Sequence, residues 1–519
     1  MSTRPQQMAS GSFWNAMERF STMGIQLICT FILARFLTPS MFGLMGMLVV
    51  FTLIGNTITE SGFSQTLINE KEVSRQTLST VFWTNIALSL LIYFILWFAA
   101  PYIAGFYHEP ILTDVSRVTF LVIPLGALSI IQFTLCSRGL EFRKMCIISI
   151  TASIISCIIA VIWAWCTHSV WALVVQNVMS YALRALGFWL TTKFRPALTF
   201  ASDELRRLFA FSRNLLITGL IGNIFNNIYT LLIGRFYGAT QAGYFVQADR
   251  IRLVTSNSMT QVVQSVSYPI LSQINNTSTP SNSSNHSNSS NHSNSSNLSN
   301  SSNLSNPSNP SPLYHPYRRI ILVTLLFVGF LMTLLMSVGE DLMQLLMGSA
   351  EWRVAGQYLM ALGVVGILYP LHAVNQNILL VKKMGRTVLW IEIARRALMI
   401  VLIVAALQFG VEVFVWSYAL YSFLLIFLNL YVCGRPIGYN LMAQLRDISP
   451  ILMGFLLMIV VAECSNHILS MQNLILRFSI TLSLTLIVGL LYFHRHPSFR
   501  EAHDLATQLL KSKYNQIKP

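Results

Sequence analysis

Arginine is the residue type on which any chemistry in this chain turns. Arg395 and Arg396 lie inside an apolar stretch, nine and ten residues past Arg386. On a helix rising 1.5 Å per residue, that puts them about 13 Å deeper than Arg386, near mid-membrane. A guanidinium at such depth is costly unless it faces a partner or a water-filled cavity. Its planar fork takes phosphate oxygens in pairs, which a lysine ammonium cannot do. The pair therefore reads as a candidate anion-binding site. Glu392, three and four residues earlier, supplies the competing reading of an ion pair within one helix.

Arg19, Arg213 and Arg250 are further candidates for such a site. Arg19 and Arg213 fall near the start of apolar helices, and Arg250, with Arg252, flanks Asp249 seven residues past Gly243. For each, snorkelling to lipid headgroups competes. Glu60 and Glu392 are the acidic groups that could host a coupling cation, with pairing to arginine as the alternative. His108, His168 and His372 are isolated along the sequence and carry no role in this reading. The seven cysteines show no C-x-x-C or metal spacing and read as small apolar residues, so no metal or cofactor is expected. No H-E-x-x-H, Walker A or G-x-S-x-G segment appears, and the reading is not that of an enzyme.

The elements that hold these residues are set by composition. Of 519 residues, 54% are hydrophobic and only 10% charged. A soluble chain carries roughly 25% charged residues. Most of the surface must therefore face lipid, and disorder is excluded for the bulk of the chain. The net charge of +15 would suggest nucleic acid in a soluble protein, but here the basic residues lie in short loops between apolar runs.

A window of roughly 20 apolar residues per helix gives fourteen spans. They lie near 13–37, 42–60, 78–100, 117–135, 146–166, 170–191, 208–234, 243–267, 318–338, 355–379, 387–408, 412–432, 450–467 and 473–493. The first run is too long for a signal peptide and lacks a small-residue cleavage site, so it is expected to stay in the membrane. With the N-terminus inside, 26 basic residues fall on inner segments and helix ends, five on the outer side and three within spans. That asymmetry orients both termini to the cytoplasm. No outer loop is long enough for a folded domain, which counts against a membrane glycosyltransferase or ligase.

Two further features stand out. Leu33-Ala34-Arg35-Phe36 followed by Gly43 recurs 200 residues later as Ile233-Gly234-Arg235-Phe236 followed by Gly243. Both copies end an outward helix and enter a returning one, which reads as an internal duplication with parallel halves, a transporter arrangement. Residues 275–312 hold a degenerate six-residue Ser/Asn repeat with almost nothing to bury, expected to be disordered and cytoplasmic.

The first hairpin, Leu33-Ala34-Arg35-Phe36-Leu37-Thr38-Pro39 then Phe42-Gly43-Leu44, resembles Wzx-type polysaccharide flippases of the multidrug/oligosaccharidyl-lipid/polysaccharide exporter superfamily. Ser61-Gly62-Phe63-Ser64-Gln65-Thr66-Leu67-Ile68, Arg138-Gly139-Leu140-Glu141-Phe142-Arg143 and Trp171-Ala172-Leu173-Val174 extend the resemblance. So do Gly243-Tyr244, Tyr268-Pro269-Ile270-Leu271 and Gly385-Arg386, and the nearest branch is that of colanic-acid-type or lipopolysaccharide repeat units. The resemblance implies an all-α MATE-like fold. Its six-helix lobes would be residues 1–195 and 196–437, the second carrying the insert, with two added helices in 438–519. It implies alternating access around a cationic cavity and an undecaprenyl-pyrophosphate-linked oligosaccharide as substrate, with pyrophosphate as the anion for Arg395, Arg396, Arg19, Arg213 and Arg250. The setting would be a bacterial cytoplasmic membrane, with polysaccharide polymerase or chain-length machinery as partners. A drug/cation antiporter of the same superfamily is the alternative, and it would favour acidic cavity residues over arginines.

Overall fold

The computed structural model describes residues 4–70, 73–278, 312–382, 384–469 and 471–494. The repeats of the Ser/Asn insert and the C-terminal tail lie outside the described residues, as do the expectations placed on them. Every regular element among the described residues is helical. The first eight are Arg4–Ala34 (α1), Pro39–Glu60 (α2), Phe63–Asn69 (α3), Arg75–Tyr107 (α4), Leu112–Thr119 (α5), Val122–Arg138 (α6), Phe142–Thr167 (α7) and Trp171–Thr191 (α8). Then come Ser202–Asn226 (α9), Ile228–Arg252 (α10), Ser258–Ser278 (α11), Tyr314–Ser337 (α12) and Gly339–Met347 (α13). The last five are Arg353–Val381 (α14), Gly385–Ala406 (α15), Val411–Gly434 (α16), Leu441–Ile468 (α17) and Leu474–His494 (α18).

The chain is an all-α, multi-pass membrane protein. Among the described residues, nine helical stretches are long and apolar enough to cross a bilayer: α2, α4, α5 with α6, α7, α12, α14, α16, α17 and α18. The two parts of α9, Ser202–Ala210 and Ser212–Asn226, make a tenth if they form one span. A helix underlies each of the fourteen segments read from the sequence, but α1, α8, α10, α11 and α15 are not among the qualifying spans, and α15 carries Glu392, Arg395 and Arg396 together. Fourteen crossings are therefore carried forward as a proposal. The lipid-facing character is plain on α4, where Leu91, Phe94, Ile95, Phe98 and Tyr102 form an exposed stripe at helical spacing.

Two compact units divide the chain: Met1–Ala248 with Met343–Ala355, and Asp249–Leu342 with Gly356–Pro519. This grouping by contact is a different division from duplication, and the lobes 1–195 and 196–437 and the pair in 438–519 stay a proposal.

In the first unit α1 packs on α7, α7 on α8, α8 on α6 and α6 on α4. The two copies of the repeated motif meet here. A Cβ on Gly43 would fall on the Ala239 carbonyl, and one on Gly243 would fall on the Pro39 carbonyl. The contacts are reciprocal across the 200-residue offset, so the two glycines let one backbone rest on the other. Between the copies' helices the chain turns at Gly238, whose φ of 86° inside α10 suits only glycine. Arg235 donates to the Phe106 carbonyl and its guanidinium lies 5.1 Å from the Phe106 ring, capping the C-terminal end of α4. Arg138 does the same for α3, donating to the carbonyls of Leu67 and Glu70. Phe63 and Leu67 of α3 are buried with Leu78, Val81, Phe82 and Ile131. These motif residues build the fold.

In the second unit, α12 packs on α17 and α18 around a core of Tyr317, Leu325, Met332, Ile451, Phe455 and Phe493. Arg477 of α18 pairs with Asp341 of α13, with both side chains buried and Nε donating to Oδ2 at 2.7 Å. At the other end Arg318 of α12 makes a bidentate pair with Asp447 of α17 at 2.6 and 2.9 Å. Tyr439, between α16 and α17, also donates to Asp447, and burial pushes its phenol well above the usual range, so it stays a donor.

Candidate functional site

Glu392, Arg395 and Arg396 project from one side of α15, as three- and four-residue spacing dictates. Arg395 Nη1 donates to Glu392 Oε1 at 2.6 Å, and Arg396 Nη2 lies 3.5 Å from Glu392 Oε2. One carboxylate thus serves two guanidiniums, and the cluster keeps a net positive charge. The arginine side chains remain 29% and 22% accessible, so they are held but not sealed. Among the described residues the buried Nε of Arg395 finds no hydrogen-bond partner.

Beside Arg395 is a narrow crevice of about 10 Å³, room for about one water, lined by His372, Gln376, Glu392, Arg395, Asn429 and Cys433. His372 was isolated in the sequence, but the fold gives it company. Asn429 Nδ2 lies 2.8 Å from its Nδ1, and Ser422 Oγ lies 3.3 Å from its Nε2. With Nδ1 accepting from the amide, the ring proton sits on Nε2 and faces the serine. Both partners are on α16, 57 and 50 residues away, a distance no local spacing encodes.

Pro370 lies two residues before His372 in α14. A proline lacks the N–H that would bond the carbonyl four residues back, here Gly366. Ser256 Oγ supplies the missing donor at 2.6 Å. Ser256 belongs to a π-helical turn, Leu253–Asn257, and such turns recur at functional sites. Immediately before it, Arg252 is buried at 5% exposure. Its Nε donates to Asp249 Oδ1 at 2.6 Å, and its guanidinium lies 5.9 Å from the Tyr418 ring. Its three-residue spacing from Asp249 was the available signal for a buried pair.

Arg19 on α1 and Arg213 on α9 are exposed and make no ion pair among the described residues. Arg250 is half-buried on α10. Glu60 closes α2, is exposed, and makes no ion pair among the described residues. The structure therefore brings Arg395, Arg396 and Glu392 together. Among the described residues no group of three or more His, Cys, Asp or Glu could hold a metal ion.

The sequence profile of the polysaccharide biosynthesis protein family matches residues 32–285. The chain is 26% identical over 266 residues to the succinoglycan biosynthesis transport protein ExoT of Rhizobium meliloti, covering 50% of this chain and 53% of that one. It is 25% identical to the lipopolysaccharide biosynthesis protein WzxC of Escherichia coli, covering 51% and 55% of the two chains. The chain thus spans about half the length of these two relatives. With the teichuronic acid biosynthesis protein TuaB of Bacillus subtilis the identity is 25% over 85% of both chains. In fold, the lipid II flippase MurJ in its inward closed conformation superposes with a TM-score of 0.65, over 92% of this chain and 98% of that one, at 13% identity. An inward-facing multidrug resistance MATE family transporter of the MOP superfamily follows at a TM-score of 0.56, over 80% and 94%, at 11% identity. Residues 32–285 thus match the polysaccharide biosynthesis protein family, and the chain is a multi-pass membrane protein with the fold seen in MurJ and the MATE transporters.

Proposed function

We propose that the chain carries a lipid-linked oligosaccharide repeat unit from the cytoplasmic to the outer face of a bacterial cytoplasmic membrane, for surface polysaccharide synthesis. The lipid would be undecaprenyl pyrophosphate, and both chain termini would be cytoplasmic. The observation that carries the reading is the sign of the charge on α15. Two guanidiniums share one carboxylate in an otherwise apolar helix, leaving a net positive centre that is still accessible. A pyrophosphate crossing hydrocarbon needs such a centre. A drug/cation antiporter would be served by net negative charge, and coupling through Glu392 is disfavoured by its engagement with two arginines. The relatives' names support the reading, since they are polysaccharide biosynthesis and transport proteins. The translocated unit would then pass to a polymerase with its chain-length machinery.

Depleting the protein in its own bacterium tests the reading. Surface polysaccharide is expected to disappear while lipid-linked repeat units accumulate on the cytoplasmic face. Normal arrival of those units at the outer face during depletion overturns it.

A further inference from the structure

The first unit contains a polar cleft of its own. It opens between the C-terminal third of α2, the middle of α6 and the second half of α8, with a volume of about 260 Å³. That is just below the range of drug-sized pockets, which suits one small ring rather than a whole oligosaccharide. Asn56 and Glu60 enter from α2, Tyr181 and Arg184 from α8, and Gly126 and Phe133 line the α6 wall. Gly126 is what keeps the cleft open. A Cβ placed there would lie 3.5 Å from the Tyr181 ring and 3.8 Å from Asn56 Oδ1, so any longer side chain would fill the space between them.

Four of these side chains can hydrogen-bond, and among the described residues none of the four has a protein partner for its polar atoms. In helices surrounded by lipid, such groups are retained to face water or a ligand. Their chemistry specifies the ligand. Glu60 and Arg184 carry opposite charges, so the cleft is neutral as a whole and concentrates neither a pyrophosphate nor a cation. An amide, a carboxylate and a guanidinium are planar groups that meet neighbouring hydroxyls two at a time. Tyr181 and Phe133 add aromatic faces, which suit the apolar C–H surface of a ring. We infer that this cleft is a sugar-binding subsite, taking a neutral pyranose of the cargo. The inference rests on the flippase reading for the identity of the cargo, and its test does not require translocation.

The full chain, purified into nanodiscs, is titrated with the repeat-unit oligosaccharide released by mild acid from the same bacterium's lipid-linked intermediates. Stripped of lipid and pyrophosphate, this probe binds only through sugar contacts. Saturation-transfer NMR is expected to detect binding to the wild type. Gly126→Leu, which fills the cleft, is expected to weaken it about ten-fold or more, as are Asn56→Ala and Arg184→Ala. Thermal melting shows which variants are folded. If Gly126→Leu is not, the two alanine variants decide, since both side chains project into open space. Absence of wild-type binding overturns the subsite, and so does unchanged affinity in the folded variants. Either result, with precursor still stranded on depletion, leaves the flippase reading standing. Cleft-dependent binding with no stranding sinks that reading and keeps the subsite.

Discussion

At the scale of the residue, the α15 cluster poses a choice that geometry sharpens. Glu392 is bonded to Arg395 at 2.6 Å and is near Arg396 at 3.5 Å, so the arginines have a partner and do not need a substrate to exist in the helix. An exposed pair of this spacing is worth only a few tenths of a kcal/mol, whereas a charge-assisted bond to phosphate is worth about 1.5–3 kcal/mol. The Arg395→Gln/Arg396→Gln double variant is therefore expected to abolish surface polysaccharide at normal protein abundance. Glu392→Gln, which leaves the positive charge in place, is expected to keep it. Lysine at either position should restore part of the activity, since it keeps charge and loses the bidentate fork. Full activity in the double arginine variant, measured as surface polysaccharide against immunoblotted protein, removes both residues from the mechanism. His372 shows where reading residues in sequence stops. Its neighbours Ser422 and Asn429 come from α16, and a lone histidine in an apolar run gives no hint of them. The same holds for Glu60 and Arg184, which meet across one cleft from α2 and α8.

At the scale of the element, what the sequence revealed and what it concealed have separate physical causes. Apolar runs as long as the bilayer is thick are legible one helix at a time, and each run seen in the sequence has a helix under it. The duplicated Gly43 and Gly243 were legible as a repeat, but not as the place where the two copies touch. Contact between segments 200 residues apart depends on how helices pair, which local periodicity leaves open. The structure makes that contact testable. With backbone carbonyls of Ala239 and Pro39 in the way, neither glycine can gain a methyl group unless a helix moves. Gly43→Ala and Gly243→Ala are each expected to cost about 1–3 kcal/mol or more by overpacking. Gly105→Ala on α4, with open space around its Cβ position, serves as the comparison and is expected to match or exceed wild-type stability. Thermal melting in detergent distinguishes these cases. Equal melting of all three variants would mean that the two motif copies do not bear on each other.

At the scale of the whole molecule, orientation is the property on which the direction of transport depends. The charge count puts 26 basic residues inside and five outside, a bias far beyond what chance placement in short loops gives. The positions of the turns translate that bias into addresses. His168, exposed between α7 and α8, is expected on the outer side. Asn440, exposed between α16 and α17, is expected on the inner side. Both addresses depend on fourteen crossings, because one span fewer between the two turns would place them on the same side. A variant lacking the seven native cysteines and carrying His168→Cys should react with a membrane-impermeant maleimide added to intact spheroplasts. The Asn440→Cys counterpart should react only after the membrane is opened. Labelling of both from outside removes a span between them, and labelling of Asn440→Cys alone inverts the molecule. In the inverted case Arg395 and Arg396 would be approached from the opposite face, and export of a cytoplasmically built repeat unit would no longer follow from their placement.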